Sequence, residues 1–165
     1  MIKMLILDVD GTLTDGGIYL DATANELKKF SVKDGVGIHL AKLVGIDCMI
    51  LTGRESTVVQ RRAEELGIKS VFQNVKNKSK FLSAYLEKNM LNKEMIAYCG
   101  DDLNDLKAME QSGFVCCPQN ACEEVKNISH FISDHYGGDG AVRDCIEYIL
   151  KKENKWEKAK QILIG

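Results

Sequence analysis

Two aspartates, Asp8 and Asp10, stand two positions apart at the end of the apolar run Met4-Leu5-Ile6-Leu7. In an extended chain, residues i and i+2 face one side with Cα atoms roughly 6–7 Å apart. If the run is a strand, both carboxylates leave one side of its carboxyl end. Gly11 lets the backbone turn away where a Cβ would obstruct it. Like charges so close repel unless a cation or a proton sits with them. Further along, Thr52 ends a second apolar run, and Lys78 follows Asn77 where a helix is expected to begin. Asp101, Asp102 and Asp105 follow a third such run. A lysine in a helix's first turn opposes the helix dipole, so either a partner holds it there or it belongs to a solvated Lys76/Lys78/Lys80 group.

The elements that must position these groups alternate regularly. Strands are expected at 4–7, 46–51, 70–72, 95–99, 114–117 and 130–132. Helices are expected at 35–44 (capped by Asp34), from Ser56 or Thr57 to Leu66, at 78–88 (capped by Asn77), 105–112, 121–127 and 141–152. A β-hairpin over 17–32 follows the first strand. Apolar strands between helices predict an α/β fold with a doubly wound, mostly parallel sheet. The 165 residues suit a single domain over 1–165, with a hairpin flap at about 16–32 and a tail at about 153–165.

Composition narrows the function classes. A net charge of −2 provides no electrostatic case for nucleic acid or an anionic membrane, and no apolar run is long enough to span a bilayer. The N-terminus runs straight into a strand, so a cytoplasmic protein is expected. The six cysteines include no CxxC pair and no zinc-ligand spacing with His39, His130 or His135, and they read as small reduced core residues.

In a doubly wound sheet, ligands bind outside the carboxyl ends of the strands, which brings Asp8, Asp10, Thr52, Asp101, Asp102 and Asp105 to one crevice with Lys78 near it. Asp8, Asp10 and Asp101 carry up to three negative charges there, and a phosphate ester adds nearly two more. One lysine cannot balance them. Carboxylates with waters and a substrate oxygen suit Mg²⁺.

At this point the residues match a family. Asp8-Val9-Asp10-Gly11-Thr12, Thr52-Gly53-Arg54, Asn77-Lys78 and Gly100-Asp101-Asp102-Leu103-Asn104-Asp105 resemble, in order, the four motifs of the haloacid dehalogenase superfamily of phosphatases. The resemblance implies that Asp8 is the nucleophile that takes the phosphoryl group. Asp10 then protonates the leaving oxygen and afterwards activates water. Thr52 and Lys78 hold the phosphoryl oxygens. Asp8, the Asp10 backbone carbonyl and Asp101 bind Mg²⁺. Asp102 and Asp105 stand behind them, and Asp105 could equally be a charge at a helix N-terminus.

Many superfamily members carry a cap domain, but here the gaps between motifs hold only the hairpin or about one helix and one strand. The open crevice then needs either a large substrate or neighbouring subunits. Gly16-Gly17-Ile18-Tyr19, Glu26-Leu27-Lys28-Lys29-Phe30, Asp34-Gly35-Val36-Gly37-Ile38 and Gly137-Gly138-Asp139-Gly140-Ala141-Val142-Arg143 resemble the capless, tetrameric phosphatases of 2-keto-3-deoxy sugar acid phosphates. Members act on 3-deoxy-D-manno-octulosonate 8-phosphate in lipopolysaccharide biosynthesis or on nine-carbon, neuraminate-type 9-phosphates, and related domains occur in sialic-acid pathway proteins. The resemblance implies a homotetramer in which the flap and the tail (Trp156, Ile162, Leu163, Ile164) of one subunit close another's site; alternatively, both pack on their own domain. Thr52, Gly53, Arg54, Arg62 and Lys78 are the substrate-binding candidates. Arg54 favours the eight-carbon acid because an arginine fork can grip a carboxylate bidentately; Arg62 could instead lie on a solvated helix face. Two positions depart from the group: Asn74 replaces a usual Gly, and Asp144 a usual Glu. A phosphoryl-accepting receiver domain and a non-catalytic oligomerisation domain are the rival readings.

Overall fold

A computed structural model describes residues 1–165. Six parallel strands form one sheet in the order β5-β4-β1-β6-β7-β8. They are β1 (Met4–Leu7), β4 (Asp47–Leu51), β5 (Ser70–Phe72), β6 (Ile96–Cys99), β7 (Phe114–Cys117) and β8 (Phe131–Ile132). β2 (Tyr19–Leu20) and β3 (Glu26–Leu27) pair as a separate antiparallel hairpin. The expected doubly wound α/β architecture is present, without a cap domain.

Alternation along each strand explains why the runs are apolar throughout. Leu5 and Leu7, Cys48 and Ile50, and Ala97 and Cys99 face one core of 24 buried residues. Met4 and Ile6, Met49 and Leu51, and Ile96 and Tyr98 face a second core of 13. A sheet covered on both faces buries every position of β1, β6 and β7, while Asp47 at the start of β4 and Ile132 on the edge strand β8 remain exposed. Helices α1 (Val32–Leu43), α2 (Thr57–Glu65), α6 (Ala141–Lys152) and α7 (Trp156–Ile164) contribute to the first core. Helices α3 (Lys78–Lys88), α4 (Leu106–Met109) and α5 (Glu123–Ile128) contribute to the second.

Several local expectations are corrected. α1 begins earlier than position 35, after Ser31, and Asp34 does not cap it. Asp34 is instead buried in the first turn, where its Oδ1 accepts the backbone N–H of Arg143 at 2.8 Å. The helix expected at 105–112 contracts to the single turn of α4. The tail contains α7, whose Ala159 is buried and whose Trp156 packs on the first core, so its apolar side chains are divided: Ile162, Leu163 and Ile164 are the exposed ones. Both departures have local reasons. Asn74 has φ 57°, a left-handed conformation that Asn tolerates better than other side chains, as Gly does. Asp144 Oδ2 accepts the Ser133 hydroxyl at 2.8 Å, which ties α6 to the segment after β8.

Asp34 makes stability depend on pH. Burial raises its carboxyl to about 6, and its Oδ2 has no hydrogen-bond partner. Because the folded value lies above the unfolded one, the neutral acid is favoured on folding, and this contribution is lost as pH rises through about 6. Asp34→Asn keeps an acceptor for Arg143 and removes the buried charge. Its stability relative to wild type should therefore rise between pH 4 and pH 6.5, by roughly 1–3 kcal/mol, and then level off. Denaturant unfolding at several pH values measures this; a constant difference would refute it.

Candidate active site

The sheet order sets β1 between β4 and β6, so Asp8, Thr52 and the Gly100–Asp105 turn leave neighbouring strand ends. Residues 9–13 form one wide turn that is interrupted by non-helical backbone at Asp10 and Gly11. Gly11 has φ 93°, and a Cβ there would lie 2.1 Å from Asp101 Oδ2. Only glycine lets the first turn and the third lie this close. Thr12 reaches across as well, donating its hydroxyl to Asp101 Oδ1 at 3.3 Å.

The centre is a buried charge group. Lys78 Nζ donates to Asp8 Oδ1 at 2.5 Å and to Asp105 Oδ1 at 2.8 Å, with all three side chains almost wholly excluded from solvent. The Tyr98 hydroxyl donates to the same Asp105 oxygen at 2.8 Å, and the Asp101 N–H donates to Asp105 Oδ2 at 3.2 Å. Asp105 is therefore an interior anchor that fixes Lys78 and the turn after β6, and its side chain does not cap α4. These contacts show why Lys78 sits in the first turn of α3 against the dipole: two carboxylates hold it there. Its neighbour Asn77 caps α3 as expected, accepting the Lys80 N–H at 2.9 Å.

One ammonium does not neutralise the carboxylates around it. Asp8, Asp101 and Asp105 have oxygens that all lie within 4.8 Å of one another. Burial, then the charge of Asp105, pushes Asp8 well above the usual carboxylate range, while Lys78 pulls the other way. Burial and Asp105 likewise raise Asp101 to about 6. Ionising Asp8 and Asp101 together calls for further positive charge. An all-oxygen donor set with an opening to solvent fits a hard divalent cation such as Mg²⁺.

Asp8, Asp10, Thr52, Gly53, Arg54, Asp101, Asp102, Leu103 and Asn104 line a crevice of about 420 Å³. A groove of about 640 Å³ lies at the other end of the sheet, beside the first residues of β1, β4 and β5, and has no comparable acidic cluster. The structure thus gathers most of the residues singled out from sequence. Two depart from expectation. Asp10 does not share the Asp8 cluster through its side chain, because the chain leaves the strand at Asp8 and the i, i+2 rule lapses; its carboxylate pairs with Lys28 at 2.5 Å. Arg62 does not line the crevice of its own chain. Its guanidinium lies over the Phe30 ring, donating to Glu65 and to the Ser31 carbonyl. Asp102 lines the mouth and accepts the Leu103 N–H at 2.7 Å.

Sequence reasoning passed over Thr12, Tyr98, Glu26 and Lys28. Tyr98 had a signal, a hydroxyl inside an otherwise apolar strand. Thr12 and the hairpin pair stood inside stretches that carry the resemblance, Asp8–Thr12 and Glu26–Phe30, but spacing alone gave none of them a role. Cys99, Cys116 and Cys145 gather in the first core, and burial pushes the Cys116 and Cys145 thiols well above their ordinary range, so they pack as neutral side chains.

Comparison with known proteins agrees with this geometry. Residues 70–144 match the profile of the haloacid dehalogenase-like hydrolases. The 3-deoxy-D-manno-octulosonate 8-phosphate phosphatase of Salmonella typhi is 39% identical over 159 residues, 96% of this chain and 85% of that protein. Among solved structures, the phosphatase of that name from Moraxella catarrhalis, in complex with magnesium ion, phosphate ion and a KDO molecule, superposes with a TM-score of 0.93. It is 40% identical and covers 98% of this chain and 93% of its own. The cobalt-bound deoxy-D-mannose-octulosonate 8-phosphate phosphatase of Haemophilus influenzae superposes with a TM-score of 0.88 at 35% identity, covering 94% of this chain and 91% of its own. With its motif residues gathered at three adjacent strand ends and this similarity running almost end to end, the chain belongs to the haloacid dehalogenase-like hydrolases, in the family of the 3-deoxy-D-manno-octulosonate 8-phosphate phosphatases.

Proposed function

We propose that the protein is a Mg²⁺-dependent phosphomonoesterase that hydrolyses a 2-keto-3-deoxy sugar acid phosphate, 3-deoxy-D-manno-octulosonate 8-phosphate, through an aspartyl-phosphate on Asp8. The observation that carries this reading is the buried Lys78 bridging Asp8 and Asp105 beside Asp101, at the floor of an open crevice. The similarity to phosphatases of that substrate supports it.

In this reading an Asp8 carboxylate oxygen attacks phosphorus as the bond to the sugar oxygen breaks, and Asp10 passes a proton to that leaving oxygen. Asp10 then takes a proton from the water that attacks the phosphorus of the aspartyl-phosphate, which returns Asp8 and releases inorganic phosphate. Lys78, already held by two carboxylates, is preorganised to face the phosphoryl oxygens, and Thr52 flanks them. Asp8, the Asp10 carbonyl and Asp101 would hold the Mg²⁺ ion. When bound, the ion supplies the charge that keeps both carboxylates ionised and draws electron density from the phosphoryl group.

Arg54 lines the crevice with its side chain 43% exposed; its Nη2 pairs with Glu26 Oε1 at 3.3 Å, which leaves the other guanidinium donors for the sugar carboxylate. Nothing in the chain covers the crevice. Ile18, Tyr19, Leu20 and Leu27 on the hairpin, and Ile162, Leu163 and Ile164 at the end of α7, are exposed on the single chain. Apolar side chains grouped in this way support a homotetramer in which a neighbour's hairpin and tail complete the lid.

Phosphate release from a panel of eight-carbon, nine-carbon and simple sugar phosphates tests the substrate, with the eight-carbon keto acid expected to have the highest kcat/KM. Asp8→Asn should lower kcat on the order of 10³-fold or more while leaving the fold intact by circular dichroism; near-full turnover would refute the nucleophile. Chelation of divalent ions should abolish phosphate release and added Mg²⁺ should restore it; turnover indifferent to chelator would refute the metal. Leu20→Asp should shift the sedimenting species to a smaller size and raise KM for the sugar acid phosphate roughly tenfold; a fully active monomer would refute the shared lid.

A further inference from the structure

The hairpin holds a lysine that its surroundings do not predict. Leu27 next to it is 61% exposed, yet the Lys28 side chain is only 1% exposed. A lysine is almost never hidden this completely unless it is paired. Lys28 Nζ lies 2.5 Å from Asp10 Oδ1 and 2.7 Å from Glu26 Oε1, and the same Glu26 oxygen lies 3.3 Å from Arg54 Nη2. Four charges of alternating sign therefore run from the turn after β1, through the hairpin, to the turn after β4. They balance among themselves, independently of the Asp8–Lys78–Asp105 group.

Lys28 donates the one side-chain hydrogen bond that Asp10 makes. The backbone at Asp10 (φ −73°, ψ 110°) has left the strand, so no ladder neighbour orients the carboxylate. We propose that Lys28 is a positioning residue for Asp10, and that Glu26 seats Lys28 so that the hairpin aims the proton donor at the leaving oxygen. This rests on the phosphatase reading above. Lys28 touches neither the reacting phosphorus nor the Asp8 cluster; it acts by fixing the rotamer of Asp10, which lets a proton move along a defined path as the ester bond breaks. The hairpin then has a part in catalysis within its own subunit, in addition to any contact with a neighbour.

The chemistry of the leaving group isolates this role. A sugar alkoxide is a poor leaving group and needs its proton in the transition state, whereas a nitrophenolate leaves without one. Lys28→Met should lower kcat/KM for 3-deoxy-D-manno-octulosonate 8-phosphate by about 10–100-fold, and for para-nitrophenyl phosphate by at least about tenfold less than that. Lys28→Arg, which keeps a cation in reach of Asp10, should recover most of the sugar-phosphate rate. Glu26→Gln disturbs the seat of Lys28 without touching Asp10. Because it also releases Arg54, it is read in kcat at saturating substrate: the sugar-to-aryl ratio of kcat should move in the same direction by a smaller factor, which serves as the test should Lys28→Met fold poorly. Equal losses on both esters, or Lys28→Arg as impaired as Lys28→Met while equally folded, would overturn the assignment. Wild-type protein releasing phosphate from neither ester would overturn the phosphatase reading instead, so the two failures are distinguishable.

Discussion

Everything at the crevice depends on how the chain accommodates acidic groups at the end of its central strand. Lys78 is buried between Asp8 and Asp105, and Tyr98 and the Asp101 N–H complete the shell of Asp105. A buried ion pair of this kind is a poor source of net stability, because desolvation offsets most of the attraction. Removing one partner, however, leaves an uncompensated buried charge, which costs roughly 3–5 kcal/mol. The arrangement is therefore rigid without being strongly stabilising, which suits a site that must hold an ammonium at one place before a substrate arrives. The positive charge it still lacks is what makes the remaining carboxylates receptive to a divalent ion.

The turns around this group are close-packed backbone. A Cβ at Gly137 would lie 1.9 Å from the Gly11 carbonyl oxygen, and Gly138 has φ 68° with Asp15 N within 2.4 Å of its notional Cβ. The loop ahead of α6 thus lies directly on the turn after β1, and the glycines there are dictated by contact and by left-handed backbone. The Gly138 N–H also donates to the Thr12 carbonyl at 3.2 Å, which ties this loop to the turn that reaches Asp101. Function and fold share these atoms, so a side chain added to the loop would disturb both.

Above this rigid floor the molecule is open. The hairpin carries apolar side chains outward and two charged ones inward, Glu26 and Lys28, which meet Arg54 and Asp10. Its two short strands bury little of their own surface, and a two-stranded ribbon is marginal in water. The charge chain, the isolated Thr14–Phe30 bridge and the Phe30 side chain packed on the first core join it to the body of the protein. An outer apolar face suited to a neighbouring subunit and an inner polar face directed at the crevice give one small element two separate duties.

Local order was legible from residues alone. Alternating apolar runs, Gly stops and the Asn77 cap define the strands and most helices, and α6 occurs at its expected limits, because backbone periodicity and capping are set by near neighbours. The four motifs, in order at strand ends, also marked Asp8, Thr52, Lys78 and Asp101 for one crevice, since a parallel sheet collects such ends. What only the tertiary structure decided was which charge meets which. Lys78 finds Asp8 across 70 residues and Arg143 finds Asp34 across 109, and neither distance leaves a trace in periodicity. For the same reason Asp105 turned inward instead of capping its helix, Asp10 left the Asp8 cluster for Lys28, and Arg62 settled on Phe30 away from the crevice. A side chain's spacing tells which way the backbone can aim it; the desolvation cost of each charge, known only once the chain has packed, selects the partner it takes.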